Sequence, residues 1–551
     1  MVDALISGPA DPTVGPQSGN RGRANRPIFS IVSSRMMPAE TAAQPTVRAR
    51  GLGVSESLTL LVLFAAGATL RFRFLTRKPF WFDECFSVVA ARLDWRNFLH
   101  LLWWREGNMS LYYVLLRGWL HFGGTEFFIR SLSVVLAVAG LPAIYWLACI
   151  LFDRRTAIIA VALLSVNAYH IRYAQEARSY SLFFLLAVLS SGFFCAYLEK
   201  PSRRNLLGYV SSSVFCVYAH FYALPLLGTQ GLALWMAEKH SPARGRNDEV
   251  GSLRELRRAW IWIGVSVLPL IVFIAKTGAG PIRWIQRPGI RDIAVFYERL
   301  VGNGGWVLLA LYLAACAVAV APFVDQIFTR EGLAEGKLWR VRFLLLWLLF
   351  PVILTGILSL ARPVFLGRYF IFVLPPFILL AAAGLGRLNK RWQLGVALAV
   401  MLVFSVKGTL AYYNSDFDLE RDAIGPASNY VLDHAQSGDT VIFYIPGTRV
   451  GYEFYRSLRG DSGPEVIYPR HGDQLEYRDF TGKPTAEFFA SIPRQYERVW
   501  IVLMNNVSTN KGGDSHPDPT TLMLSGMMAQ SFPSMQQWEF PDVEVRLYSK
   551  H

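Results

Sequence analysis

Residues 127–152 read FFIRSLSVVLAVAGLPAIYWLACILF, which is 26 residues with one charged side chain. A helix of about 20 such residues crosses roughly 30 Å of hydrocarbon. Further runs of this kind lie at 54–72, 155–170, 180–198, 206–220, 222–238, 259–277, 304–325, 341–360, 367–386 and 392–411. The expected fold class is therefore a polytopic α-helical membrane protein with about eleven transmembrane helices.

The whole composition agrees. Of 551 residues, 53% are hydrophobic and 17% charged, against about a quarter charged in soluble domains. The net charge of +15 would suggest nucleic acid in a soluble protein. Here Lys and Arg fall in short connections between apolar runs, so they read as a topology signal, and no nucleic-acid partner is expected. The five cysteines, Cys85, Cys149, Cys195, Cys216 and Cys316, have no metal or redox spacing.

Basic residues set the expected orientation. The connections at 154–155, 200–204, 239–258, 330–342 and 387–391 hold 18 Lys and Arg, more than twice the number in the short loops of the opposite side. The basic side is read as cytoplasmic. Residues 1–53, Arg-bearing and without a signal-peptide core, read as a disordered cytoplasmic segment, with Met36 and Met37 as an alternative start. An odd number of spans then puts the C-terminus outside.

Two regions outside the spans remain on that outer side. Residues 73–126 are rich in Trp, and the amphipathic stretch 85–104 suggests interfacial helices. Residues 412–551 carry short β-branched runs at 440–445, 466–468, 499–503 and 543–548, with helical stretches near 421–436, 448–457, 484–492 and 519–530. That alternation predicts a C-terminal extracytoplasmic α/β domain following a catalytic membrane domain over 54–411. No nucleotide-binding loop is present.

The candidate chemistry gathers on the outer side. Trp81-Phe82-Asp83-Glu84 follows the first span, and two adjacent carboxylates at a membrane surface are costly unless solvated, paired or functional. Asp83 there suits a base for an incoming hydroxyl. The turn His170–Tyr180 carries Arg172 and Arg178, and the turn 361–369 carries Arg362 and Arg368. Interfacial snorkelling is the ordinary reading of such arginines; phosphate binding by guanidinium forks is the functional one. Pro375-Pro376 should kink the tenth span. Tyr218-Ala219-His220-Phe221-Tyr222 places a histidine at a further outer turn, and Asn108-Met109-Ser110-Leu111-Tyr112-Tyr113 is a candidate groove wall. No metal site is evident, although Asp83 and Glu84 leave open a divalent cation shared with a diphosphate.

These motifs resemble the GT-C superfamily of integral-membrane glycosyltransferases, in particular the bacterial glycosyltransferase family 39 type. Relatives include protein O-mannosyltransferases and lipid A aminoarabinose transferases. The resemblance covers roughly 54–411 and rests on Asp83-Glu84, Leu111-Tyr112-Tyr113, Gln175–Tyr180, Tyr218–Tyr222 and Arg368-Tyr369 leading to Pro375-Pro376. It implies a polyprenyl-phosphate-linked sugar donor, an inverting mechanism and a bacterial inner-membrane location with the active site outside. The acceptor it implies is a glycolipid, a glycan or a protein. It implies Asp83 as catalytic base, with Glu84 the second acid. Many relatives carry a Lys-Pro-Pro-Leu or His-Pro-Pro-Leu stretch where this chain has Asn108-Met109-Ser110-Leu111. The expected donor-phosphate contacts therefore shift to Arg172, Arg178 and Arg368, with Asn108, Tyr112, Gln175, Tyr180, His220, Tyr222 and Tyr369 lining the groove. The rival reading is a flippase for lipid-linked sugars. Against it, no internal repeat is visible, and the charges gather at an interface rather than the midplane.

Overall fold

A computed structural model describes residues 53–240, 247–277, 285–324, 338–415, 422–471, 475–480, 485–504 and 519–551. The expectations for residues 1–52 and for Met36 and Met37 lie outside the described residues. In chain order, the helices up to the last span are α1 (Val54–Phe72), α2 (Phe82–Arg92), α3 (Trp95–Trp104), α4 (Ser110–Trp119), α5 (Glu126–Leu151), α6 (Arg154–Ser165), α7 (Ala168–Ala174), α8 (Tyr180–Glu199), α9 (Arg203–Ala219), α10 (Ala223–His240), α11 (Asn247–Thr277), α12 (Ile290–Leu300), α13 (Trp306–Val320), α14 (Leu338–Ala361), α15 (Leu374–Gly386) and α16 (Arg391–Asn414).

All eleven apolar runs are helical, but they are not eleven equal spans. Among the described residues, eight helices are long and apolar enough to cross a membrane. The pair α6 and α7, bent by 62° at the break between them, passes the same test when taken together, as a broken span or a re-entrant loop does, which makes up to nine. The runs predicted at 206–220 and 222–238 form α9, of 17 residues, and the apolar stretch Ala223–Met236. α9 sits at the lower end of the roughly 17–25 residues that cross a bilayer, and the apolar stretch of α10 falls short of it. The segment Gly367–Gly386, a 3-10 turn running into α15, has 89% of its apolar stretch buried and is the centre of the bundle. Leu61, Ile261, Trp262, Ile357 and Val403 are exposed on other helices, as lipid-facing residues are. The protein is a multi-pass membrane protein.

The break after α6 has a definite filler. Arg71, near the end of α1, is fully buried and donates from Nη1 to the carbonyls of Gly67 (2.8 Å) and Ser165 (3.0 Å). Its Nη2 donates to the carbonyl of Leu164 (3.0 Å) and lies 2.8 Å from His170 Nδ1. Carbonyls at a helix C-terminus have no partner within the helix and carry partial negative charge, so a guanidinium is well matched to this end. Asn167 caps α7 by accepting from the His170 N–H at 2.8 Å.

Residues 73–126, where interfacial helices are expected, hold α2, α3 and α4. The amphipathic stretch 85–104 is two helices rather than one. Asp94 starts the second by accepting from the N–H groups of Arg96 and Asn97, as an N-cap should. Trp95, Trp103 and Trp104 are exposed on α3, as suits a membrane interface.

After α16 the chain forms α17 (Ile424–His434), β1 (Thr440–Phe443), α18 (Arg449–Leu458), β2 (Glu465–Tyr468), α19 (Ala486–Gln495), β3 (Arg498–Met504), α20 (Pro519–Ser531), β4 (Ser534–Phe540) and β5 (Val543–Ser549). The sheet order is β2-β1-β3-β5-β4. β1 is parallel to β2 and β3, while β5 is antiparallel to β3 and β4. Side chains alternate as a strand requires. Ile442, Val499 and Ile501 pack with Phe489, Leu524 and Met528 of α19 and α20 on one face. Val441, Phe443, Trp500 and Val502 join Ile424, Val431 and Val450 of α17 and α18 on the other. That second face is continuous with the core of the helical part. Sequence reading missed β4 because Ser-Met-Gln-Gln-Trp-Glu-Phe lacks β-branched residues. It is an edge strand, largely exposed, and polar residues belong there.

Candidate active site

Asp83 is the second residue of α2, and its carboxylate lies between two arginines from later spans. Oδ2 is 3.6 Å from Arg178 Nη2 and 3.7 Å from Arg368 Nη2. Both distances exceed hydrogen-bond reach, and Oδ2 is buried without a hydrogen-bond partner among the described residues. Arg178 instead spends Nη1 on the Asp83 carbonyl, Ser87 Oγ and Tyr113 Oη, each at 3.3 Å. The carboxylate is thus attracted by two cations while keeping a lone pair uncommitted.

Glu84 is next in sequence and opposite in role. It is fully buried and grips Arg130 of α5 through two bonds, Nε to Oε1 at 2.8 Å and Nη2 to Oε2 at 2.6 Å. Oε1 also accepts from the Ala177 N–H at 2.8 Å. Arg130 spends its remaining donors on the carbonyls of Leu75 and Lys78, both at 2.7 Å, and Pro79 at 3.3 Å. Neighbours on a helix point about 100° apart, so one carboxylate enters the site and the other locks α2 to α5 and to the 175–179 turn. Committed to Arg130, Glu84 does not converge with Asp83 on a shared cation. Among the described residues no three His, Cys, Asp or Glu side chains gather as metal ligands.

The arginines expected to meet phosphate separate. Arg178 and Arg368 flank Asp83, whereas Arg172 pairs with Glu176 at 3.8 Å and lies over the Tyr173 ring. Arg368 also lies over the Trp81 ring, 5.3 Å from its centroid. Arg368 also lines a cavity of about 420 Å³, walled by Tyr169, Tyr173, Arg287, Arg299, Phe365 and Gly367.

The expected groove residues separate too. Tyr180, His220, Tyr222 and Tyr369 form one aromatic cluster: the His220 ring is 4.8 Å from Tyr369, 5.5 Å from Tyr222 and 6.4 Å from Tyr180. His220 Nδ1 accepts from the Tyr222 N–H at 3.2 Å, which puts the proton of a neutral ring on Nε2. That Nε2 and the Tyr180 hydroxyl are buried with no partner among the described residues. The Tyr222 hydroxyl donates to the Val364 carbonyl. Asn108 sits on the 3-10 turn Gly107–Met109 with Oδ1 likewise unpartnered. Tyr112 and Gln175 face elsewhere. The Tyr112 hydroxyl is 2.9 Å from Ser133 Oγ inside the core. Gln175 donates to the carbonyls of Arg71 and Arg73 and accepts from Tyr412, tying three elements together.

Sequence reading missed Glu106 and left Tyr113 in the groove-wall stretch without a role of its own. Tyr113, not Tyr112, faces Arg178, and its hydroxyl donates to Glu106 Oε2 at 3.1 Å. Burial pushes the Glu106 carboxyl up to about 7, against the opposing pull of Arg178 and the Tyr113 bond. Helical spacing was the available signal: α4 buries both tyrosines, and only the choice of which faces α2 required the fold.

No family model and no curated protein matches the sequence. Solved structures match its fold. ArnT from Cupriavidus metallidurans in the apo state superposes with a TM-score of 0.58 at 12% identity, covering 90% of this chain and 98% of that one. The fold is the GT-C fold. The GT-C match extends to ArnT bound to undecaprenyl phosphate (TM-score 0.57, 13% identity, 88% and 97% covered). It extends also to the arabinofuranosyltransferase AftD from Mycobacteria (TM-score 0.51, 15% identity), covering 91% of this chain but 40% of AftD. At such identities the likeness is one of GT-C architecture, membrane helices followed by a small sheet region.

Proposed function

We propose that this protein is an inverting glycosyltransferase that moves a sugar, a hexose or a pentose, from a polyprenyl-phosphate carrier to an acceptor hydroxyl. One observation carries the reading: Asp83 Oδ2 stands between Arg178 and Arg368 with no hydrogen bond of its own among the described residues. A general base needs an uncommitted lone pair within reach of the hydroxyl proton. A departing phosphate needs cations where its charge develops. Both requirements meet at this point.

In the proposed reaction the acceptor oxygen attacks the anomeric carbon, and its proton passes to Asp83 Oδ2. The bond from that carbon to the phosphate oxygen breaks, and the electron pair leaves with the phosphate toward Arg178 and Arg368. Attack opposite the leaving group inverts the anomeric centre. His220 Nε2–H and the Tyr180 hydroxyl, without partners among the described residues, supply hydrogen-bonding groups for the sugar, and the 420 Å³ cavity lined by Arg368 supplies room for the carrier's phosphate end. No step calls on a cation or other cofactor.

ArnT has been captured with undecaprenyl phosphate on the same fold, which supports a carrier of that class. The basic connections between spans support a cytoplasmic N-terminus and an extracytoplasmic site; the bacterial inner membrane is what the family resemblance implies. The acceptor is a glycolipid, a glycan or a protein. The test is mass spectrometry of envelope glycoconjugates from cells with the wild-type protein, with none, and with Asp83→Asn. Asp83→Asn at wild-type membrane levels should match the null strain. A wild-type product level in that variant sinks the assignment of the base. Carrier flipping that persists with a non-transferable donor analogue, and no product from wild type, would favour a flippase.

A further inference from the structure

The helix that carries Asp83 begins without a cap of its own. Trp81 occupies the N-cap position and makes no side-chain capping bond, because an indole offers no acceptor. The first N–H groups of a helix require acceptors from elsewhere. The Phe82 N–H finds one 340 positions away: it donates to both carboxylate oxygens of Asp422, at 3.1 and 3.3 Å. Asp422 is among the first described residues after α16, and the same carboxylate accepts from the Ile424 N–H at 3.2 Å to start α17. One side chain therefore begins two helices, one of which carries Asp83 at the next position.

A second contact holds the approach to α2. The Phe80 N–H donates to the Tyr455 hydroxyl at 3.0 Å, and that hydroxyl donates to Glu126 Oε1 at 2.9 Å. The Phe80 ring stacks on Phe454, centroids 4.8 Å apart and planes within 7°. Gly425 makes room: a Cβ there would lie 2.9 Å from the Phe80 carbonyl and 2.8 Å from the Tyr455 hydroxyl. The stretch Phe80–Phe82 is thus lodged against α17 and α18, while Glu84 and Arg130 hold the next turn from the membrane side.

We infer that Asp422 and Tyr455, from the C-terminal α/β segment, are positioning residues for the proposed base, so that this segment is part of the frame of the active site. The inference rests on the assignment of Asp83 given above. A misplacement of about 1 Å at a reacting group costs up to a hundredfold in rate, and a cap that frays shifts the first turn of its helix.

The test uses the full chain in membranes. Asp422→Ala removes both acceptor oxygens, whereas Asp422→Asn keeps one. Hydrogen exchange at the Phe82 amide should quicken roughly tenfold or more in Asp422→Ala and stay near wild type in Asp422→Asn. Envelope product should fall roughly tenfold in Asp422→Ala and Tyr455→Phe at equal protein levels, with Asp422→Asn within about threefold of wild type. Unchanged exchange in Asp422→Ala, or equal product loss in Asp422→Ala and Asp422→Asn, overturns the inference. If exchange responds as expected but Asp83→Asn retains product, the positional role of Asp422 stands and the base assignment fails.

Discussion

Arg130 faces Glu84 as a fork, with both carboxylate oxygens engaged and neither side chain in contact with solvent. Removing one partner of such a pair strands a buried charge, at a cost of about 3–5 kcal/mol. Glu84→Ala and Arg130→Ala should therefore lose thermal stability in detergent and reach the membrane at reduced levels. Asp83→Asn, one residue away, should melt close to wild type. Fluorescence-detected size exclusion after heating distinguishes them.

The two arginines beside Asp83 should report as catalytic and Arg172 should not. Arg178→Ala and Arg368→Ala each remove a cation from the leaving-group position, and transfer should fall by roughly a hundredfold. Arg172→Ala should retain most of the product. Quantifying the product by mass spectrometry in the three variants at matched expression is the check.

Tyr112 and Tyr113 offer a paired control on α4. Tyr112→Phe removes a core bond to Ser133 and should cost about 1 kcal/mol of stability with little change in transfer. Tyr113→Phe removes the hydroxyl that links Glu106 to Arg178 and should lower transfer several-fold as well as costing at least about 1 kcal/mol of stability. Melting and product yield, measured together, separate the two roles.

The raised Glu106 carboxyl gives a pH signature. Burial favours its neutral form, so the folded protein holds this proton more tightly than the unfolded chain. The stability it contributes is present at low pH and is lost as pH rises from the ordinary carboxyl range near 4.5 through about 7. Glu106→Gln should flatten that loss in melting curves recorded from pH 5 to pH 8 (about two units to one side of the value and one to the other). An identical slope in wild type and variant would count against it.

The membrane class was legible because it rests on a local signal, since apolar length announces a helix in lipid. The pair Asp83-Glu84 was conspicuous beside an apolar run, whereas the proposed role of Asp83 as base came from the family resemblance. The division of labour between Asp83 and Glu84 was not legible, since it depends on where Arg130 arrives from α5. The same holds for Arg172 against Arg178: both are arginines of one turn, and only the packing of α2 on that turn selects between them. Asp422 gave no signal, because an aspartate before a helix looks like the cap of that helix alone. The third span reads as continuous in hydropathy, which is blind to a bend whose polar filler comes from α1.

That filler has a consequence for how the chain is made. Arg71 completes its bonds with carbonyls that follow it by 93 and 94 residues. Until α6 has been synthesised, its guanidinium has only the Gly67 carbonyl of its own helix. The buried charge at the end of α1 is therefore fully partnered only once α6 has packed against it, so this helix pair is finished by an order of assembly as well as by its apolar length.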